Sequence, residues 1–332
     1  MACDESMHRG CEVEMRIGLI DVDGHNFPNL PLMKISAWHK CKGDSVEWYE
    51  PLFHVMGEPF DKVYMSKVFS SEYSQNYPYF VNTKELIKGG TGYCIKTKDG
   101  KEIFDQINHT CLDDEIEHIF PDYSIYYDKL PEVKNTAYGF LSRGCPRGCY
   151  FCHVGAKEGK FSYKVADLNQ FWNGQKNIVL LDPNITACKE WKSLFQQLID
   201  SKAWIDFSQG LDIRVMTEEK TKMLMQMKIK QLHFAWDNYS DKEMIIPKFT
   251  KFKEMTQWDK RKLSVYVLTN FNTTHEQDLE RIYTLRDLGY WPYVMVYNRE
   301  NLPKGHITRR LQRWCNMRAI FATIKDFKDY DA

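Results

Sequence analysis

Several things are scarce in this sequence. No apolar run approaches the roughly 20 residues that a bilayer span requires, so no transmembrane helix is expected. Neither sign of charge is in excess: Lys plus Arg is 45 and Asp plus Glu is 45. A nucleic-acid binder usually carries the basic surplus that supplies its phosphate affinity, so nucleic acid is not the expected partner, although the total leaves room for a local patch. The start, MACDESMHRGCEVE, lacks the apolar centre of a secretion signal. These absences point to the cytoplasm, where thiols stay reduced.

What is present suits a folded chain of two domains. It is 43% hydrophobic and 14% aromatic over 332 residues, and single cores stop growing near about 250–300 residues. Residues 1–14 read as a flexible leader, since the first strand-like run begins only at Met15. Over 15–115, strand-like runs at 15–21, 46–49 and 60–65 accompany a helix-like LMKISAWHKCKG, which predicts a parallel α/β domain. Gly89, Gly90 and Gly92 mark a tight loop there. Residues 116–135 turn to Pro, Asp and Tyr without periodicity and read as a linker. From 136 to 332, strand candidates recur at 136–142, 177–181, 204–207, 231–236, 264–269 and 291–297, with amphipathic helices between them. The rhythm suits a partial (β/α)6 barrel, in which chemistry gathers in the loops after the strands.

Ten cysteines in a reducing compartment need a reason other than disulfides. Three fall within eight residues, Cys145-Pro-Arg-Gly-Cys149-Tyr-Phe-Cys152, directly after the first strand of the second half. Three thiolates from one loop hold three irons of a cubane and leave the fourth open to a ligand. Gly144 and Gly148 allow the backbone to wrap closely, and the loop's amides are free to donate to sulfur. Zinc is the alternative, with His153 as the fourth ligand; yet zinc sites usually pair two loops, and no second C-x-x-C exists.

The C-x3-C-x2-C motif, with the aromatic Phe151 before its last cysteine and a strand-helix rhythm after it, resembles the radical S-adenosylmethionine (SAM) superfamily over about 136–332. The resemblance implies an enzyme with a [4Fe–4S] cluster on Cys145, Cys149 and Cys152. Its open iron chelates the SAM amine and carboxylate, and reductive cleavage gives a 5′-deoxyadenosyl radical that abstracts hydrogen from a substrate the sequence does not identify. A flavodoxin- or ferredoxin-type electron donor is implied as well. Asp182, in Leu181-Asp182-Pro183-Asn184, stands where family members usually place a Gly-Gly-Glu-like motif and can accept from the SAM ammonium; Asp-Pro-Asn also suits a plain turn. Gln209 and Asp212 suit hydroxyl or amine contacts, and Arg214 suits the SAM carboxylate, or else an ordinary surface position. Asp237 suits ribose or substrate, Asn270 adenine or substrate, and Tyr297 the flank of adenine; a plain loop or core role serves these three equally.

Fragments of the first domain are similar to the cobalamin-binding domain of one radical SAM class: Asp23-Gly24-His25 with Pro28, then Ser66, then Gly89-Gly90. That similarity implies a cobalamin-dependent radical SAM methyltransferase with His25 on cobalt. The alternative is a Rossmann-like domain that binds no cobalamin and covers the barrel mouth as part of the substrate cleft. The other cysteines of the first half lack ligand spacing, which argues against the second cluster of tRNA methylthiolating enzymes. Only Cys315 lies beyond the barrel strands, which argues against the extra clusters of peptide-maturing enzymes. A zinc-stabilised binding module is the non-enzyme alternative.

Overall fold

The computed structural model describes residues 14–24, 27–70, 74–98 and 101–331; the leader, but for Glu14, and His25 lie outside the described residues. The fold is mixed α/β. Two compact units make up the chain, and neither is one continuous stretch. The first takes Met1–Tyr138, Cys149–Lys157 and Asn169–Gln175; the second takes Gly139–Gly148, Glu158–Leu168 and Lys176–Ala332.

In the first unit, β1 (Arg16–Asp21), β2 (Ser45–Trp48), β3 (Phe60–Ser66) and β4 (Thr83–Gly89) form a parallel sheet in the order β2-β1-β3-β4. Alternation along β1 decides its two faces. Ile17 and Leu19 pack with Leu32 and Ile35 of the helix Leu30–Lys42, while Ile20 joins Tyr49, Phe60, Val63 and Met65 on the other side. The helix starts where the Asn29 side chain accepts from Leu32 N at 3.3 Å, and it stops where Gly43 takes a φ of 90°. An antiparallel hairpin follows, β5 (Ile95–Lys98) with β6 (Lys101–Phe104).

Residues 116–135, expected as a linker, belong to this unit. Trp48 Nε1 donates to the Ile125 carbonyl at 2.8 Å, and the Tyr126 hydroxyl donates to Asp21 at 2.5 Å while accepting from Asn29 N at 2.9 Å. The Tyr123 hydroxyl donates to the Phe171 carbonyl at 2.7 Å and accepts from Tyr138 N at 3.0 Å. Ties between side chains and backbone leave no periodicity behind, so the sequence reads as a connection what the structure uses as a brace.

In the rest of the chain all six strands expected after residue 136 are present. They are β7 (Thr136–Gly139), whose last residue opens the second unit, β10 (Asn177–Leu180), β11 (Trp204–Phe207), β13 (Leu232–Ala235), β14 (Leu263–Thr269) and β15 (Trp291–Val296). Two short additions were not expected: the antiparallel pair β8 (Ser142–Arg143) and β9 (Tyr163–Lys164), and β12 (Lys228–Ile229). The strands pair as two sheets, β12-β11-β10-β7 and β13-β14-β15, joined by a parallel bridge between Leu211 and Phe234. The break has a local cause. β11 ends at Phe207, and Gly210, at φ 78°, turns the chain where a Cβ would meet the His233 carbonyl at 3.0 Å. The chain then pairs with β11 again at β12 and crosses to β14 at β13.

Outward-facing apolar residues carry the helices. Phe207 meets Phe195 of the helix Trp191–Ser201, and Phe234 meets Phe249 and Phe252 of Lys242–Thr256. Val294 packs with Ile282 of His275–Asp287 and with Leu311 and Trp314 of Ile307–Asn316. Each such buried side chain contributes about 1.5–3 kcal/mol. Among the described residues, no helix is long and apolar enough to cross a membrane.

Candidate functional site

The strand β7 delivers the chain to the cysteines through a backbone held by Asp182. That carboxylate, 4% exposed, accepts from Leu141 N at 3.1 Å, Ser142 N at 2.5 Å and the Ser142 hydroxyl at 2.6 Å. Burial pushes its pKa up to about 6, against the pull of those donors. Gly144 comes next, at φ 76°, with the Phe161 carbonyl 2.2 Å from where a Cβ would stand, so only glycine fits. Glu158 clamps this entry: Arg143 donates to it at 2.9 Å and Gly144 N at 3.2 Å, and Cys145 N donates to the Gly159 carbonyl at 3.2 Å.

Around Cys145 a polar network assembles from four parts of the second unit. Asn184 Nδ2 donates to Cys145 Sγ at 3.5 Å and to Asp212 Oδ2 at 3.3 Å, and Asn184 Oδ1 accepts from the Thr186 hydroxyl at 2.8 Å. Arg147, inside the cysteine motif, donates through Nε to Asp212 Oδ2 at 2.5 Å. Arg214 Nε donates to Asp212 Oδ1 at 2.7 Å, and its Nη1 reaches Asp241 at 3.2 Å. Burial alone would raise the Asp212 pKa, but the bonds and charges of Arg214 and Arg147 hold it below 3.8. Asp237 is half-buried; its backbone carbonyl accepts from Arg281 at 3.1 Å, and its carboxylate accepts no hydrogen bond from a described residue. Its pKa is pushed up to about 6 by burial, opposed by the charges of Arg214 and Arg281.

The sequence-predicted residues therefore divide. Cys145, Asp212 and Arg214 come together, with Asp237 in their field. Asp182 serves the backbone before the cysteines, and Asn184, two residues on, takes the place at the thiol. Asn270, at φ 60°, and Tyr297 form a separate pair, Asn270 Nδ2 donating to the Tyr297 carbonyl at 2.8 Å. Gln209 is exposed on the turn after β11. Arg147, Asn184 and Asp241 were missed; Arg147 and Asn184 lay inside quoted motifs but read as spacers.

Cys149 and Cys152 belong to the first unit, where Cys152 N donates to the Cys149 carbonyl at 3.1 Å. The next residue is tied to the β5–β6 hairpin: Glu102 Oε2 accepts from His153 N at 3.1 Å and lies 2.6 Å from His153 Nδ1. Lys157 donates to the Thr91 hydroxyl at 2.5 Å. The three motif cysteines are half-buried and not disulfide-bonded, whereas Cys41 is disulfide-bonded. Among the described residues, no three His, Cys, Asp or Glu side chains are gathered to hold a metal ion. Three thiols suit a cluster in kind and in chain spacing.

The positions compared with a cobalamin domain are taken up by the fold itself. Ser66 Oγ accepts from Asn29 Nδ2 at 2.9 Å, and Gly90 has the Lys67 carbonyl 2.3 Å from its would-be Cβ. His25 lies outside the described residues. These contacts give cobalamin no support.

No family model matches the chain, and no curated protein does. Among solved structures it is similar to Streptococcus suis SuiB bound to precursor peptide SuiA, at 11% identity and a TM-score of 0.35. The match covers 59% of this chain and 48% of that one, so it spans under half of SuiB's length. A likeness at that score fixes neither the fold nor the activity of this chain.

Proposed function

We propose that this chain is a radical SAM enzyme whose [4Fe–4S] cluster sits on Cys145, Cys149 and Cys152. The observation that carries the reading is the network that joins Cys145, through Asn184 and Arg147, to Asp212 and Arg214. Structural cysteines have no need of a buried amide, two arginines and two carboxylates beside them. When bound, the cluster supplies one electron to the SAM sulfonium, which releases methionine and a 5′-deoxyadenosyl radical.

The chain's own residues bind and orient. Asp237, with no donor of its own, suits the SAM ammonium or a ribose hydroxyl. Arg214 is already bonded to Asp212 and Asp241, so pairing with the SAM carboxylate would exchange its longer bond, to Asp241, for the ligand. Asn270 and Tyr297 suit the adenine. The electron comes from a flavodoxin- or ferredoxin-type donor.

One observation favours a second reading. Glu102 engages His153 Nδ1, as a carboxylate does behind a metal-bound imidazole, and this leaves Nε2 for zinc with the three thiols. A single experiment separates the two: anaerobic reconstitution, metal and sulfide analysis, then reduction with SAM present. About four irons and four sulfides per chain and release of 5′-deoxyadenosine are expected. One tightly held zinc with no 5′-deoxyadenosine would replace the enzyme with a zinc-stabilised module. The protein from cobalamin-supplied cells should show no corrinoid absorption; a corrinoid spectrum would restore the methyltransferase reading.

A further inference from the structure

Asn184 is 3% exposed, and its amide is fixed at both ends. Oδ1 is occupied by the Thr186 hydroxyl at 2.8 Å, whose own oxygen accepts from Asp212 N at 3.3 Å. The Asn184 carbonyl accepts from the Ser162 hydroxyl at 2.9 Å. With Oδ1 and the backbone both held, Nδ2 donates, among the described residues, to Cys145 Sγ at 3.5 Å and Asp212 Oδ2 at 3.3 Å. Asp212 in turn accepts from Arg147 and Arg214, one on each carboxylate oxygen, so the group that orients the amide is itself held.

We infer that Asn184 is a positioning residue that sets the reduction potential of the cluster by donating N–H to the Cys145 sulfur, with Asp212 holding the amide in place. The inference rests on the cluster reading above. Its physics is general: a hydrogen bond to a ligand sulfur stabilises the more negatively charged, reduced cluster and so raises the potential. A buried amide acts strongly, because no water replaces its bond when it is lost. Asp212 acts on the same sulfur from two sides. It orients Asn184, and it ties Arg147, two residues from Cys145, so that the loop and its donor keep one register.

The test is an EPR-monitored redox titration of the full-length, anaerobically reconstituted protein. Asn184→Leu removes both N–H groups at similar size, and it should assemble a full iron and sulfide complement at a lower midpoint potential than the wild type. Asn184→Ser restores an O–H donor on a shorter arm and should recover part of the shift. Should the Leu variant fail to fold, the Ser variant carries the same expectation of a potential below that of the wild type. Equal potentials in wild type and variants with full clusters would overturn the inference while leaving the cluster reading intact. Failure of the wild type itself to assemble iron and sulfide would overturn that reading and the inference with it.

Discussion

A carboxylate sealed from water keeps its proton to higher pH than one at a surface, and Asp182 is sealed. Its pKa rises from the usual 3.8 to about 6, driven by desolvation. The sign of the consequence follows from proton counting. Between about pH 4 and 6 the folded chain holds a proton that the unfolded chain has lost. The contribution of this group to stability is therefore fully present below pH 4 and fades as the pH rises to 6. The span corresponds to about 3 kcal/mol. Asp182→Asn cannot titrate, so urea midpoints of wild type minus variant should fall across this window and then level; parallel profiles would show that Asp182 is not the source. At Gly144 the constraint is steric. Gly144→Ala sets a methyl 2.2 Å from the Phe161 carbonyl at a φ of 76°. It should lose iron binding through displacement of Cys145; iron content equal to wild type would refute that.

At the scale of elements, the helix His275–Asp287 is pinned to two strand ends by one buried side chain. Arg281, fully buried, donates to the Trp236 and Leu268 carbonyls at 2.7 Å each, to the Asp237 carbonyl at 3.1 Å and to Asp278 at 2.5 Å. Arg281→Met leaves the buried Asp278 charge with the Thr273 hydroxyl but without its cation and takes a donor from three carbonyls, at a cost of about 3–5 kcal/mol. Arg281→Lys keeps the charge but not the planar fork, and it should recover little of that loss in chemical denaturation. A lysine variant as stable as wild type would mean that charge alone matters there. Such pins also decide what a sequence reveals. The six strands after residue 136 were legible because their apolar residues alternate or run together. β4 was not: TKELIKG alternates charges at a half-exposed edge and carries no hydrophobic signal. Asp212 and Arg214 were legible as polar groups at a strand end. The exchange of Asp182 for Asn184 was not, since both flank one proline and only the backbone path decides which side chain turns inward. Arg147 was hidden because the cysteine spacing draws attention to the ligands and treats the residues between as filler.

At the scale of the whole molecule, the units cut across the order of the chain. The first is built from three stretches, the last of them Asn169–Gln175, and the Tyr123 hydroxyl bonds to the Phe171 carbonyl there. Along the axis of synthesis, the Tyr123 hydroxyl meets Tyr138 first, whose carbonyl accepts from it at 3.2 Å and whose N–H donates to it at 3.0 Å. The shorter bond, to the Phe171 carbonyl at 2.7 Å, needs a stretch that follows the cysteine loop in the chain. Ribosome-bound chains exposed through 175 should therefore resist limited proteolysis around Tyr123 better than chains exposed through 138; equal cleavage would show that the late bond adds no protection. The first unit is thus finished by residues made after the thiols.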